Sequence, residues 1–169
     1  MKFNLKNIAL FLFGAAILAS CGNDYDVDEF WDLEELPGYV AFDADGNSIT
    51  LDTLFIDEAE GSASFEVESP TGTLTDINIV YEISGNAVAG EDYNIDNPGS
   101  ITITPNVNDF QNRDRATIDI EILQDTIPDG EKILTLTLVS ASNGEGDLAI
   151  GRGGTDLLKS ATVVIGDDD

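Results

Sequence analysis

Carboxylates are the side chains of this sequence best suited to chemistry, because they outnumber every other reactive group. The chain has 33 Asp and Glu residues against 7 Lys and Arg, with no His and one Cys, and its formal net charge is −26. Hard cations such as Ca²⁺ prefer the oxygen ligands that carboxylates supply. Without His, the chain can form neither a Ser-His-Asp triad nor a Cys-His dyad, and a structural zinc site lacks its usual ligands.

The charge balance also excludes or disfavours two other classes of function. Nucleic-acid recognition depends on clustered Lys and Arg, which this chain lacks. Glycosidases use two carboxylates, but among so many acids some pair always lies close together, so a pair carries no signal. The short alternating segments described below imply no deep cleft. The sequence therefore predicts a protein that is not an enzyme.

The N-terminus has the pattern of an exported lipoprotein. Lys2 and Lys6 precede an apolar run at 8–18, which is shorter than the roughly 20 residues that span a bilayer. The run ends in the string LASC at 18–21, which resembles the lipobox of bacterial lipoproteins. The resemblance implies that 1–20 is a cleaved signal peptide and that Cys21 carries the lipid. As the only cysteine, Cys21 also leaves the chain without an intramolecular disulfide.

A polar, acidic segment at 21–37 follows the lipobox and ends at a proline. It is typical of a solvated tether, and its early acids resemble the export signal of surface-displayed lipoproteins of Bacteroidetes. We therefore expect an outer-membrane lipoprotein that faces the cell surface or the periplasm, with the membrane as its first partner. Removing the signal peptide removes two lysines, so the mature charge is (7 − 2) − 33 = −28.

The remainder, 38–169, is predicted to be all-β. Apolar and polar residues alternate with period two, which indicates strands with one buried and one wet face. The clearest segments are 63–67, 77–83, 116–122, 134–138 and 161–165. Turn residues separate them, so we expect an immunoglobulin-like antiparallel β-sandwich of about seven strands. The segment 43–47 is interpreted as a hairpin turn between 39–42 and 48–51, since its glycine is misplaced for an EF-hand loop.

Four motifs in the region 54–169 occur in an order that resembles the Calx-beta domain, a calcium-binding immunoglobulin-like sandwich. They are IDEAEG at 56–61, GNAVAGEDY at 85–93, QDTIPDGEK at 124–132 and TVVIGDDD at 162–169. The resemblance covers about two-thirds of the chain. Each motif is weak by itself, and their order makes the match specific.

The resemblance implies a calcium site at one tip of the sandwich, holding one or two ions. The implied ligands are Glu58, Asp92, Asp125, Asp129, Asp167, Asp168 and Asp169. Carboxylate oxygens from at least three of these segments are expected to share one ion. They should then lie within about twice the Ca–O distance of 2.3–2.6 Å of one another. Three positions depart from the family pattern: Gln124 replaces an Asp, Asp129 replaces a Glu and Lys132 replaces a Glu. Asp92 also has a second interpretation, as a turn acid that caps backbone amides beside a packed Tyr93.

The predicted function is a structural, adhesive or interaction role for a membrane-anchored, calcium-binding lipoprotein. A protein or glycan partner would meet the tip that lies away from the membrane. The alternative is a carbohydrate-binding lipoprotein of a glycan-uptake system. That alternative requires a platform of exposed aromatic side chains, for which the sequence offers few candidates.

Overall fold

The computed structural model describes residues 38–43, 53–106 and 114–168. All of them belong to one compact unit, Glu35–Asp169. Within these ranges, no helix is both long and apolar enough to cross a membrane. The strands are β1 (Tyr39–Phe42), β2 (Thr53–Asp57), β3 (Ser62–Ser69), β4 (Ile77–Gly85), β5 (Tyr93–Ile95), β6 (Ser100–Ile103), β7 (Asp114–Ile122), β8 (Lys132–Ser142), β9 (Asp147–Ile150) and β10 (Ser160–Gly166). Two short 3-10 turns, Glu58–Glu60 and Arg152–Gly154, complete the described elements.

The strands form two layers. The first has the order β1-β3-β7-β5, and the second joins β2, β10, β8, β4 and β6, with β9 also paired to β8. The parallel pairing of β1 with β9 connects the layers. The predicted all-β, immunoglobulin-like fold is confirmed, with ten described strands where about seven were expected. The prediction of a purely antiparallel sandwich is wrong, because β1 pairs with β9 and β2 with β10 in parallel. The additional strands are three to five residues long, too short to show a clear period-two pattern in the sequence.

The core lies between the layers, where the alternating apolar residues meet. On β4, Ile77 and Ile79 are at most 1% exposed, and Leu134, Leu136 and Leu138 on β8 are equally buried. Each such side chain contributes about 1.5–3 kcal/mol by leaving water. Because this core is complete within the compact unit, we expect the segment 22–169 to fold by itself.

β1 has a different partner strand along each of its two edges. Ala41 pairs with Glu68 of β3, whereas Tyr39 pairs with Ala149 of β9. Both edges of β1 are therefore occupied. The predicted hairpin between 39–42 and 48–51 falls partly outside the described residues and stays a prediction. Period-two alternation identifies a strand but does not name its neighbours. Residues 44–52 lie outside the described ranges.

The strand registers fix the two ends of the sandwich. β3 begins at Ser62, directly after the 3-10 turn, and β1 runs antiparallel to it with Phe42 opposite Val67. The start of β1 therefore lies at the end where β3 finishes. The turn before β3, the connection from β7 to β8 and the end of β10 lie at the other end, because Ser62 is opposite Glu121 and Ile165 is opposite Lys132.

Candidate metal centre

One end of the sandwich collects acids from four separate parts of the chain, and we call it the acidic tip. Its members are Glu58, Asp92, Asp125, Asp129 and Asp167. Glu58 lies in the 3-10 turn between β2 and β3, and Asp92 lies just before β5. Asp125 and Asp129 belong to the connection between β7 and β8, and Asp167 follows β10. These loops join or follow strands that end on the same side, so they cluster as expected at the end of a sandwich.

Glu58 is the buried acid at the centre of the tip, with 6% exposure. Burial raises the pKa of its carboxyl above the ordinary value of 4.5, because the charged form loses hydration. The backbone N–H of Asp125 donates to this carboxyl and partly offsets that rise. The negative charges of Asp125, Asp167 and Asp129 raise the pKa further. Burial and the neighbouring acids thus both raise the pKa of Glu58.

Asp167 fastens the end of β10 to the connection between β7 and β8. Its Oδ2 accepts the backbone N–H of Asp129 at 2.9 Å and that of Gly130 at 2.8 Å. The neighbouring Asp168 accepts a longer hydrogen bond of 3.4 Å from the side-chain amide of Gln124. The C-terminal acids therefore lie at the same tip as Asp125, where the sequence placed them.

Asp125 and Asp92 both shape their own loops. Asp125 Oδ1 accepts the N–H of Ile127 at 2.7 Å, which closes an Asx turn. Asp92 is 6% exposed, and its Oδ2 accepts the N–H of Val88 at 2.5 Å. Its neighbour Tyr93 is also buried. The structure therefore contains the contact expected from the second interpretation of Asp92, in which its carboxylate caps a backbone amide of the turn.

Lys132, the first residue of β8, brings a positive charge into the tip. Its Nζ lies 2.5 Å from Asp129 Oδ2. The hydrogen bond to Asp129 raises the pKa of the Lys132 ammonium above 10.5, and the charges of Asp129, Asp92 and Asp125 act in the same direction. A lysine at this position therefore neutralises part of the cluster that a glutamate would have enlarged.

Asp57 is a tip residue that the sequence analysis did not single out. It ends β2 and lies opposite Gly166 in the parallel pairing with β10. A Cβ on Gly166 would lie 2.7 Å from Asp57 Oδ1, so the carboxylate rests against the backbone just before Asp167. Its position beside Glu58 was the available signal, but the parallel register that brings it to Asp167 has no signature in the sequence.

Asp43 lies outside the tip, as its interpretation as a turn residue implied. Its carboxylate is 3.4 Å from a guanidinium nitrogen of Arg115, which also pairs with Glu66. Arg115 lies on β7, Glu66 lies on β3 and Asp43 directly follows β1, where its N–H donates to the carbonyl of Glu66 in the middle of β3. Asp43 thus forms an ion pair with Arg115.

The donor chemistry of the tip fits a hard cation, but its side chains are not arranged around one. Among the described residues, no group of three or more Asp, Glu, Cys or His has the spacing to hold a metal. The described side chains therefore do not present carboxylate oxygens from three segments to one point. Backbone amides hold Asp167 and Asp125, Lys132 holds Asp129, and the remaining repulsion separates the charges. Asp169 and Cys21 lie outside the described residues.

Comparison with known proteins supports the fold. No protein-family model matches the chain, and no curated protein matches it. The chain is similar to the crystal structure of the apo-form Calx CBD1 domain, with 21% identity and a TM-score of 0.56 over 79% of this chain and 99% of that one. It is also similar to CBD12 from CALX1.2, with 21% identity and a TM-score of 0.57 over 78% of this chain and 44% of that one. Calcium binding domain CBD12 of CALX1.1 matches at 24% identity and a TM-score of 0.51 over 70% and 42%. The chain therefore has the Calx-beta fold that its four motifs predict.

Proposed function

We propose that this protein is a lipid-anchored, calcium-binding β-sandwich with a structural or adhesive role at a cell surface. The observation that carries the proposal is the convergence of Glu58 with Asp125, Asp129 and Asp167, although dozens of residues separate them in sequence. The structures it resembles include one described as a calcium binding domain. A fold that gathers carboxylates without a catalytic partner is better suited to holding an ion than to transforming a substrate.

Calcium would relieve the electrostatic cost of the tip. The residues that would hold it are Glu58, Asp125 and Asp167, with Asp57 and Asp168 at the margin. Calcium accepts six to eight oxygens in flexible geometry, including backbone carbonyls and water. The carboxylates would have to leave their present backbone contacts and rotate to complete a site. Binding to the folded state alone then stabilises the fold.

The position of the tip supports an outward-facing role. Gly38, the first described residue, lies at the opposite end of the sandwich, since β1 starts where β3 finishes. A tether from Cys21 would join the domain at that end. The acidic tip would then point away from the membrane, where a partner protein, a glycan or a neighbouring domain can meet it.

The carbohydrate-binding alternative gains no support from the groove on the β1-β3-β7-β5 layer. A groove of about 530 Å³ lies over β3, β5 and β7, and the residues that line it carry no aromatic ring. They are Gly61, Ser62, Ala63, Ser64, Asn94, Asp96, Asp119, Ile120 and Glu121. An aromatic platform is the feature on which that alternative depends.

A melting experiment on the segment 22–169 tests the proposal. At 100 times the dissociation constant, one calcium site adds about 2.7 kcal/mol to the free energy of unfolding. That gain raises the melting temperature by roughly 5–10 °C for a domain of this size. Magnesium should raise it less, because it requires stricter geometry and retains its waters. Equal shifts with calcium, magnesium and NaCl at matched ionic strength would show only general screening, and the proposal would fail.

A further inference from the structure

We propose that the outward face of the second layer binds a second copy of this chain, so that two sandwiches associate face to face. We call this surface the neutral face, and it consists of the outward side chains of β2, β10 and β8, centred on Thr162 and Val164. The inference goes beyond the proposed function, because it concerns another surface and requires neither calcium nor a lipid anchor.

The strand registers align an apolar row across the neutral face. Val164 of β10 lies opposite Phe55 of β2 on one side and opposite Ile133 of β8 on the other. The preceding Val163 and the following Leu134 are buried in the core, so the row itself points to solvent. Phe55 is 73% exposed and Ile133 is 44% exposed. An apolar row across three adjacent strands is a contiguous patch, which is less common on a monomer than scattered apolar residues.

The next two rows of the neutral face consist of hydroxyls that already bond to each other. Thr135 and Thr162 lie opposite each other with 3.1 Å between their side-chain oxygens, and Thr137 and Ser160 do so at 3.0 Å. Burying a hydroxyl costs free energy mainly when its hydrogen bonds to water are not replaced. Because each pair keeps one hydrogen bond inside the sheet, covering these rows costs less than covering unpaired hydroxyls.

The two outward faces of the sandwich differ in charge. Asp119 and Glu121 of β7 point outward from the β1-β3-β7-β5 layer and are exposed. On β2, β10 and β8, which are described in full, Asp57 at the acidic tip is the only outward side chain with a charge. Glu82 of β4, opposite Thr137, lies at the border of the neutral face. A chain with 33 acids thus has one face almost without them.

This charge distribution favours a second copy as the partner. A chain with a net charge of −26 repels its own copies. Contact through the acidic layers would place carboxylates of both copies about 10 Å apart, close to the Debye length of about 8 Å. Contact through the neutral faces stacks four sheets and separates the acidic layers by about 30 Å, where salt screens their repulsion. A basic partner, in contrast, would be attracted to the acidic layer.

The size of the neutral face predicts a weak association. Three strands and the neighbouring β4, spaced about 4.8 Å apart and about 20 Å long, give roughly 400 Å² of sheet per copy. Stable pairs bury about 800 Å² per partner, so the neutral face lies at the low end of specific interfaces. We therefore expect a dissociation constant between about 10 µM and 1 mM. Because charge repulsion opposes the contact, added salt should strengthen it.

Sedimentation equilibrium of the segment 22–169 tests the inference. Measurements extend to about 1 mM protein and contain EDTA, so that calcium cannot bridge two acidic tips. We expect a monomer–dimer equilibrium whose dissociation constant falls at least about threefold between about 0.05 and 0.5 M NaCl.

Two matched pairs of variants locate the contact. Thr162→Glu places two carboxylates near the centre of a two-fold interface and should weaken the dimer at least about tenfold. Thr117→Glu, at an exposed position of β7 on the other layer, should leave it unchanged. Phe55→Ser should also weaken the dimer about tenfold, whereas Leu74→Ser, which removes an exposed side chain between β3 and β4, should not. Because Phe55 and Leu74 are exposed, their loss leaves the fold intact, and melting curves check all four variants.

The outcomes separate this inference from the proposed function. A segment that stays monomeric at about 1 mM at both salt concentrations overturns self-association and leaves the neutral face to a different partner. A dimer that forms only with calcium, or that Thr117→Glu weakens as much as Thr162→Glu, places the contact elsewhere and also overturns the inference. None of these results changes the calcium-dependent melting shift, which tests the proposed function.

Discussion

Asp167 offers the most informative single substitution, because its carboxylate both fastens the tip and is a proposed calcium ligand. Hydrogen bonds to a charged acceptor contribute about 1.5–3 kcal/mol where water is excluded. Asp167 is only half-buried, so about 1 kcal/mol is appropriate for each of its bonds to Asp129 and Gly130. Asp167→Ala should therefore lower the calcium-free stability by at most about 2 kcal/mol, or roughly 4–8 °C in melting temperature.

Asp167→Asn separates the two roles of this side chain. An amide oxygen can still accept both backbone N–H groups, so the calcium-free melting temperature should stay close to that of the parent. The lost charge should nevertheless abolish most of the shift of about 5–10 °C that saturating calcium gives. The loss of negative charge also weakens the repulsion between residue 167 and Glu58, which increases the stability of the calcium-free variant.

Melting of the segment 22–169, followed by circular dichroism with and without calcium at constant ionic strength, measures both effects. Asp147→Asn is the charge-matched control, since Asp147 begins β9 opposite Ser142, at the end of β8 farthest from Lys132. Its calcium shift should equal that of the parent. A full calcium shift in Asp167→Asn would refute the assignment of Asp167 as a ligand, and an unchanged calcium-free stability in Asp167→Ala would refute its role in fastening the tip.

Three further predictions follow from the account. Cys21→Ala should abolish labelling by fatty acid and release the protein from membrane fractions; a variant that remains bound and labelled contradicts the anchor. Because burial raises the pKa of Glu58, protonation of this carboxyl favours the folded state. The stability that the protonated carboxyl contributes is fully present below pH 4.5 and is lost as the pH rises through the raised pKa. Calcium-free Glu58→Gln should therefore gain stability relative to the parent as the pH rises above 4.5, and a pH-independent difference between the two melting curves speaks against this burial effect. Asp43→Ala breaks an ion pair with Arg115 and should leave the calcium affinity unchanged in calorimetry, so loss of binding would place the site elsewhere.

The sequence predicted the fold through side chains that pack in both layers. Leu134, Leu136 and Leu138 alternate along β8 and are buried, because a pleated strand presents successive side chains to opposite faces. The sequence could not show which strands become neighbours. The parallel pairings of β1 with β9 and of β2 with β10 depend on contacts between segments far apart in the chain.

The acidic tip was predictable in outline, but its contacts were not. Motif order placed Glu58, Asp125 and Asp167 together, and the structure places them together. The same motifs gave no indication that the backbone amides of Asp129 and Gly130 hold Asp167. Such contacts depend on loop conformations a few ångströms across, which a pattern of residue types does not specify.

Calorimetric titration of the segment 22–169 with calcium tests the central claim most directly. We expect saturable binding of one or two ions, strongly weakened in Asp125→Asn and unchanged in Asp147→Asn. Magnesium should bind more weakly. The absence of saturable heat, or equal responses to calcium and magnesium, would contradict a calcium site at the acidic tip.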